Sequence, residues 1–200
     1  HKAIDNKPDY AEAHYNLSNV LKDSERFDEA VTGYQSAIDI KPDYAEAHSN
    51  LGLVFQELGI LDEAIVSNHE ALAIKPHYAE THYNLGNALK DKGKLNEAIV
   101  SYHAALAIKP NLAEAHNNLG AVFKDLGKLD KAATNYQKAL TIKPDYAEAY
   151  NNLGNVLKGL GQLDAAITNY QKALIIKPRF TEAGRNLLLG LLFVPGLPLE

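Results

Sequence analysis

The sequence contains no cysteine, methionine or tryptophan. The lack of cysteine excludes disulfides, thiol nucleophiles and zinc sites with sulfur ligands, and it leaves the redox compartment undetermined. The lack of any methionine, including one at the start, suggests a piece cut from a longer protein. Composition therefore offers neither a covalent framework nor a sulfur-based active site.

Positive charge is also scarce, because 20 Lys and Arg face 25 Asp and Glu, for a net charge of -5. This balance disfavours nucleic acid and anionic membranes as partners. The longest strongly apolar stretch has eight residues, Leu187 to Val194, whereas a bilayer span needs roughly 18 to 20. The remaining composition, 46% hydrophobic and 22% charged, is that of a globular protein, which we place in the cytoplasm.

A 34-residue period organises the chain. Such a period indicates an array of similar units that each pack against the next. In the second unit, apolar spacing predicts a first helix from about Ala45 to Leu58 and a second from about Asp62 to Ile74. The period is marked by the proline of a recurring Lys-Pro pair at Pro8, Pro42, Pro76, Pro110, Pro144 and Pro178.

Turn and packing residues recur at the same interval. Gly59 follows the first helix and predicts a left-handed cap, although Glu25 holds that place in the first full unit. Asp62 suits the start of the second helix. Gly86 represents a small first-helix position that lets helix axes approach, and Tyr102 represents a large second-helix position that fills the remaining space. Asn68 replaces the tyrosine in the second unit. We expect that replacement to weaken its layer.

These positions resemble the tetratricopeptide repeat (TPR) family. The resemblance implies an all-α fold, a right-handed superhelical α-solenoid of TPR helix-turn-helix units. It predicts part of a repeat, its second helix, over residues 1–10, and a partial repeat or a capping or junction segment over residues 181–200. Five full repeats lie between them, at residues 11–44, 45–78, 79–112, 113–146 and 147–180.

Asparagine occupies the sixth position of every full repeat. A carboxamide has an acceptor and two donors, so it can bind a peptide backbone whatever that peptide's side chains are. The TPR resemblance implies that this position faces the concave side of the superhelix. The alternative is that these asparagines bond to neighbouring backbone within the stack. The column consists of Asn16, Asn50, Asn84, Asn118 and Asn152, and Asn186 continues it.

Other polar and aromatic side chains extend this candidate peptide-binding site. Some TPR domains clamp a C-terminal carboxylate with basic residues on the first helix, but glutamate fills the second position here and Tyr or polar residues fill the fifth. We therefore expect a broad groove that tolerates many sequences. The additional predicted residues are Asn19, Asn87, Asn155, Tyr15, Tyr83, Lys90 and Lys124.

No constellation for catalysis, metal binding or a cofactor is evident. His48, His82 and His116 recur once per repeat, so they are expected about 10 Å apart, too far for one ion that needs ligands within about 2.1 Å. We interpret them as packing residues. Since the sequence has no Walker motif, metalloprotease helix or nucleophile elbow, we predict no enzyme activity, no metal and no cofactor.

The C-terminal stretch Asn186 to Pro198 is apolar and is either a terminal helix or a junction to a further domain. It is similar, as are the repeats, to the TPR superhelix and its junction in O-linked N-acetylglucosamine transferases. The leading hypothesis is a protein-binding scaffold for extended polypeptide, in the role of a substrate-recognition arm if a catalytic domain follows. The second hypothesis is a structural scaffold that associates end to end.

Overall fold

The computed structural model describes residues 10–192, which form eleven helices and no strand. The chain divides into two compact units between Lys109 and Pro110. The first unit contains α1 (Ala11–Asp23), α2 (Phe27–Ile40), α3 (Ala45–Glu57), α4 (Leu61–Ile74), α5 (Ala79–Asp91) and α6 (Leu95–Ile108). The second contains α7 (Ala113–Asp125), α8 (Leu129–Ile142), α9 (Ala147–Gly159), α10 (Leu163–Ile176) and α11 (Thr181–Leu191).

The predicted all-α fold is confirmed over this range. Residues 1–9, predicted as part of a second helix, and residues 193–200 lie outside the described residues. Whether the C-terminal apolar stretch ends as a helix or as a junction to a further domain therefore stays untested beyond residue 192. Among residues 10–192, no helix is both long enough and apolar enough to cross a membrane.

Consecutive helices pack antiparallel, so that within each unit a first helix packs against the second helix of the preceding repeat as well as against its own second helix. First helices of neighbouring repeats also contact each other. In the first unit α1 contacts α3, and α3 contacts α5. In the second unit α7 contacts α9, and α9 contacts α11. Among the described helices of the first unit, the second helices α2 and α4 have no Cα atoms within 8 Å of each other. One side of each unit is therefore closed by first helices, while the second helices on the other side stand apart.

The turn inside the hairpin is confirmed as a left-handed glycine cap in the second to fifth repeats. In α3 the chain leaves the helix through Gly59 at φ 74°, and Gly59 N–H donates to Gln56 O at 2.9 Å while Ile60 N–H donates to Phe55 O at 2.8 Å. This pair of bonds is the Schellman arrangement, which satisfies the last carbonyl groups of the helix. It reverses the chain within three residues.

The start of the second helix differs from the expectation. Asp62 is the second residue of α4, and Ile60, which provides no side-chain cap, precedes the helix. The tight turn makes Ile60 both the last residue of the Schellman motif and the residue before α4, so no position is left for a side-chain cap. The Asp62 carboxylate lies in the first turn, where it interacts favourably with the helix dipole.

In the third, fourth and fifth repeats, a first-helix glycine faces a second-helix tyrosine in the core of the hairpin. A Cβ on Gly86 would lie 2.7 Å from the Tyr102 ring, and one on Gly154 would lie 2.5 Å from the Tyr170 ring. Both tyrosines are fully buried. The first repeat reverses a neighbouring contact, since Ser18 there stands where other repeats have glycine and Gly33 accommodates its hydroxyl. Because glycine has no side chain, each of these aromatic rings can lie directly against the backbone of the first helix.

Glu25 provides a test of the turn. It holds φ at 58° where the other turns have glycine, and that conformation costs an L-residue roughly 1–2 kcal/mol. Glu25→Gly removes this cost but adds freedom to the unfolded chain, worth about 0.4–1 kcal/mol. We predict a net rise in the free energy of unfolding of roughly 0.5–1 kcal/mol by urea denaturation. Gly59→Ala is the matched control and should lower stability; equal effects of the two changes would contradict the turn assignment.

Candidate functional site

Three asparagines of the column donate to a side chain of the preceding repeat. Asn50 Nδ2 donates to Tyr15 Oη at 3.2 Å, and Asn152 Nδ2 donates to Asn117 Oδ1 at 3.2 Å. Asn186 Nδ2 donates to Asn151 Oδ1 at 3.0 Å. Each donor and acceptor are 35 residues apart, and each acceptor is a side chain at the fifth position of a repeat. The alternative of bonding to neighbouring backbone is therefore not what these three asparagines do.

Several carboxamide oxygens of this column have no donor among the described residues, although Asn118 Oδ1 accepts from Asn117 Nδ2 at 3.2 Å. Within residues 10–192 no donor reaches Oδ1 of Asn50 or Asn152, and the Asn84 side chain makes no hydrogen bond. Asn50, Asn84 and Asn152 are half-buried, and Asn16 is exposed. A fixed carboxamide with an unused acceptor is suited to receive an N–H from another chain.

The second predicted asparagine position is tied to the hairpin core. Tyr34 donates its phenolic hydrogen to Asn19 Oδ1 at 2.6 Å, and Tyr170 does the same to Asn155 Oδ1 at 2.9 Å. Tyr102 donates to Asn87 Oδ1 at 2.7 Å. The side-chain oxygens of Asn19, Asn87 and Asn155 therefore each accept a hydrogen bond from a buried tyrosine. These asparagines join the hairpin core to the candidate site.

One hydrogen-bond relay joins core and column in the first unit. Asn19 Oδ1 accepts from Tyr34 and also from Asn50 Nδ2 at 2.9 Å. The Tyr34 ring is itself held in the hairpin core, where it is fully buried. The orientation of the Asn50 carboxamide is thus fixed by a side chain of the neighbouring first helix and by the tyrosine of the previous repeat.

The fourth repeat interrupts this pattern. Position 121 is alanine where the first, third and fifth repeats have asparagine, and the buried hydroxyl of Tyr136 has no hydrogen-bond partner among the described residues. Burial raises the pKa of Tyr136 and of Tyr34 above the ordinary tyrosine value, and it raises the pKa of Tyr170 to about 12, with a smaller effect from Glu182. All three phenols are therefore neutral donors at physiological pH.

The second repeat lacks the tyrosine and its acceptor together. Asn68 is completely buried and its Nδ2 donates to Ala64 O at 2.8 Å, whereas its Oδ1 has no partner within residues 10–192. The position that would accept from a tyrosine is Leu53. An unpaired buried carbonyl oxygen costs about 1–3 kcal/mol, in agreement with the expectation of a weaker layer here.

Aromatic and basic side chains flank the column. The Tyr15 ring lies 4.9 Å from the Tyr44 ring and 5.9 Å from the Tyr34 ring, measured between centroids. Tyr83 is 6.0 Å from Tyr102. Tyr15 and Tyr83 are therefore held in place by a second aromatic ring, which suits them for contact with a bound chain.

The two predicted lysines have carboxylates beside them. Lys90 Nζ is 3.4 Å from Asp91 Oδ1, and Lys124 Nζ is 3.6 Å from Asp125 Oδ1. Gln56 replaces lysine in the second repeat and donates from Nε2 to Asp91 Oδ2 at 2.9 Å. This neutralised surface differs from a carboxylate clamp and fits a groove that does not select for charge.

The repeated histidines serve the turns between repeats. Nε2 of His48 lies 2.9 Å from Pro42 O, and Nε2 of His82 lies 2.9 Å from Pro76 O. With Nε2–H as the donor, each ring closes the loop that precedes its helix. Over the described part of the chain, no group of three or more His, Asp or Glu side chains is arranged to hold a metal ion.

Two family models match most of the chain. A model described as TPR repeat matches residues 18–59, 55–93, 86–127 and 122–161, and one described as tetratricopeptide repeat matches residues 147–180. The chain belongs to the tetratricopeptide repeat family. The predicted solenoid of TPR helix-turn-helix units is thereby confirmed, and TPR proteins are typically scaffolds that bind peptides or other proteins. The search of curated proteins gave no match.

Solved TPR structures share this fold. The structure of MamA is 28% identical with a TM-score of 0.75, and the alignment covers 83% of this chain and 97% of that one. TTC0263, a thermophilic TPR protein from Thermus thermophilus, is 26% identical with a TM-score of 0.70, covering 92% and 100%. YrrB, described as a TPR protein with an unusual peptide-binding site, is 23% identical with a TM-score of 0.74, covering 92% and 95%.

Sequence reasoning missed a set of contacts inside single repeats, between the start of the first helix and the end of the second. Lys75 Nζ, from one Lys-Pro pair, lies 3.0 Å from Glu46 Oε1 and 4.3 Å from the centre of the Tyr78 ring. The hydrogen bond from Lys75 lowers the pKa of the Glu46 carboxyl. Lys177 repeats both contacts with Glu148 at 2.8 Å and Phe180 at 5.0 Å. The constant 29-residue spacing between Glu and Lys was the available signal.

The orphaned hydroxyl of Tyr136 gives a prediction. Tyr136→Phe removes a buried group that has no partner among the described residues, so we expect the free energy of unfolding to stay level or rise. Tyr170→Phe is the matched change in the same unit and should cost about 1 kcal/mol, because it leaves Asn155 Oδ1 without its donor. Ala121→Asn should stabilise the protein by about 1 kcal/mol, and only when Tyr136 is present. Equal losses in the two Phe variants, by urea denaturation, would contradict the assignment.

Proposed function

We propose that this TPR protein is a scaffold that binds extended polypeptide along the asparagine column of each unit. The observation that carries the proposal is the carboxamide of Asn50. Its Nδ2 is held by Tyr15 and Asn19, while its oxygen has no donor within residues 10–192. A side chain fixed before binding loses less conformational entropy on binding, so its oxygen is prepared for a backbone N–H.

The chemistry favours recognition of backbone rather than side chains. A carboxamide bonds to any peptide unit in the same way, and flanking Tyr15 and Tyr83 add flat apolar contact area. Each hydrogen bond is worth about 1 kcal/mol after exchange with water. Affinity therefore comes from several weak contacts in register, and sequence selectivity is low.

Asn84 separates binding from stability. Since its side chain makes no hydrogen bond among the described residues, Asn84→Ala should leave the melting temperature unchanged and weaken binding of a degenerate pool of fluorescein-labelled peptides, about 15 residues long, about fivefold, the equivalent of about 1 kcal/mol. Fluorescence anisotropy measures this binding. Asn50→Ala should weaken binding and also lower stability, because it breaks two contacts between repeats.

Asn96→Ala is the matched control. It makes the same chemical change in the same repeat, at an exposed position on the second helix α6, and should leave peptide affinity as in the unmodified protein. Undiminished affinity of Asn84→Ala, or an equal loss in Asn96→Ala, would remove the asparagine column from the binding site.

We extend the proposal to the role of a substrate-recognition arm in a larger, cytoplasmic enzyme that resembles O-linked N-acetylglucosamine transferase. The resemblance of the repeats and of residues 186–198 supports it. This chain would then bind substrate polypeptide and leave the chemistry to another domain. Reading the coding sequence beyond residue 200 tests the extension: a glycosyltransferase domain supports it, and a stop codon or an unrelated domain rejects it. Fractionation of the tagged protein tests the compartment.

The exposed face of α11 favours a second function, end-to-end assembly. Leu188 and Leu192 are 63% and 55% exposed, and such side chains on the last described helix and its C-cap offer a surface for another chain. If they mediate assembly, the mass measured by light scattering should rise with concentration, and Leu188→Lys with Leu192→Lys should keep the protein monomeric. Ile175→Lys on α10, also exposed, is the control. A monomer at every concentration would reject assembly.

A further inference from the structure

A groove opens on the side of the first unit that the second helices form. It lies between α2 and α4, is floored by α3, and has a volume of about 460 Å³. Its apolar lining comes from Ile38, Leu51, Phe55 and Val66. The volume falls within the range of roughly 300–1,000 Å³ that is usual for binding pockets.

The stacking of the hairpins creates this groove. First helices approach one another, whereas α2 and α4 have no Cα atoms within 8 Å of each other in the described first unit. The gap leaves the flank of α3 that carries Leu51 and Phe55 as the floor of the groove. Around the axis of α3, Asn50 is turned by about 100° from Leu51 and about 140° from Phe55. The groove is therefore a different surface from the asparagine column.

The apolar lining includes one exposed position. Ile38 and Leu51 are buried, but Val66 on α4 is 58% exposed. A β-branched side chain at the lip of an apolar groove continues the groove onto the surface. Contiguous apolar surface of this kind indicates an interaction site more than scattered exposed side chains do.

The charge around the groove has one sign. The side chains that line it include Asp62, Glu63 and Glu70 and no Lys or Arg. Asp62 is paired with Lys92. Glu63 and Glu70 form no ion pair within residues 10–192. They are about two helical turns apart on α4, which places them on one side of the helix and about 10 Å apart along it.

We propose that this groove docks a basic amphipathic peptide segment of a protein partner. Apolar side chains of the segment pack against Leu51, Phe55 and Val66, and its lysine or arginine side chains pair with Glu63 and Glu70. A second copy of this chain is a poor occupant, because its net charge of -5 would add to the negative charge of the rim. The proposal does not depend on peptide binding by the asparagine column.

The test uses a designed helical peptide of about four turns with a leucine stripe flanked by lysines, and the same peptide with glutamate in place of lysine. We expect the lysine peptide to bind at least about tenfold more tightly by isothermal titration calorimetry, with an affinity that falls as NaCl is raised. Val66→Lys, and Glu63→Lys with Glu70→Lys, should each weaken its binding at least about tenfold. Circular dichroism checks that these exposed substitutions leave the fold intact.

Val100→Lys is the matched control, because Val100 holds the equivalent position one repeat later, is 69% exposed and lies outside the groove. It should bind the lysine peptide like the unmodified protein. Absence of binding at about 1 mM peptide, equal binding of both peptides, or undiminished binding by Val66→Lys would overturn the proposal. A dimer in sedimentation experiments that Val66→Lys dissociates would assign the groove to a second copy and overturn it as well.

Discussion

The close contact between a first-helix glycine and a second-helix tyrosine determines how the two helices pack in the third, fourth and fifth repeats. A methyl group on Gly86 or Gly154 would collide with the ring, so only glycine lets the two backbones approach closely enough. The contact buries the ring, and in the third and fifth repeats the tyrosine hydroxyl donates to an asparagine on the first helix. The first repeat has Ser18 in place of the glycine, and its Tyr34 donates in the same way to Asn19, which also accepts from Asn50. Packing inside one repeat is therefore coupled to the orientation of a carboxamide in the next.

The two faces of α3 have different chemistry for a geometric reason. First helices meet along one side, which brings polar residues of adjacent repeats within hydrogen-bond distance. Second helices diverge on the other side, which uncovers apolar side chains that a single hairpin cannot bury. The asparagine column and the acidic groove follow from this one asymmetry. A scaffold of this construction has two separate surfaces that share α3, and we propose that one binds peptide backbone and the other basic apolar segments.

The sequence predicts the helices and turns well because their signals are local. The 34-residue period and the Lys-Pro pairs predict where each hairpin begins and ends. Gly59 has the positive φ expected of a cap, and Glu25 has the same conformation in the first repeat. Asp62 was expected to start the second helix, but the helix begins at Leu61 and Asp62 is its second residue. The Schellman turn ends the first helix and leads directly into the second, so no side-chain cap is needed. The lack of a partner for the Tyr136 hydroxyl among the described residues could have been predicted, because Ala121 stands where the first, third and fifth repeats have asparagine.

Contacts between repeats were harder to predict. The pairing of Asn50 with Tyr15 over 35 residues depends on how far one hairpin is displaced against the next. No single repeat contains that displacement. The groove between α2 and α4 was missed for the same reason, because its lining comes from three helices. That the asparagine column binds polypeptide stays a prediction.

Side-chain amide NMR tests the central claim most directly. The account predicts that the degenerate peptide pool shifts the Nδ2 resonances of Asn50 and Asn84 with a common saturation curve. The Nδ2 resonance of Asn68, which is buried and bonded to Ala64 O, should not move. Peptide-induced shifts elsewhere in the protein, with the resonances of Asn50 and Asn84 unchanged at saturation, would contradict it.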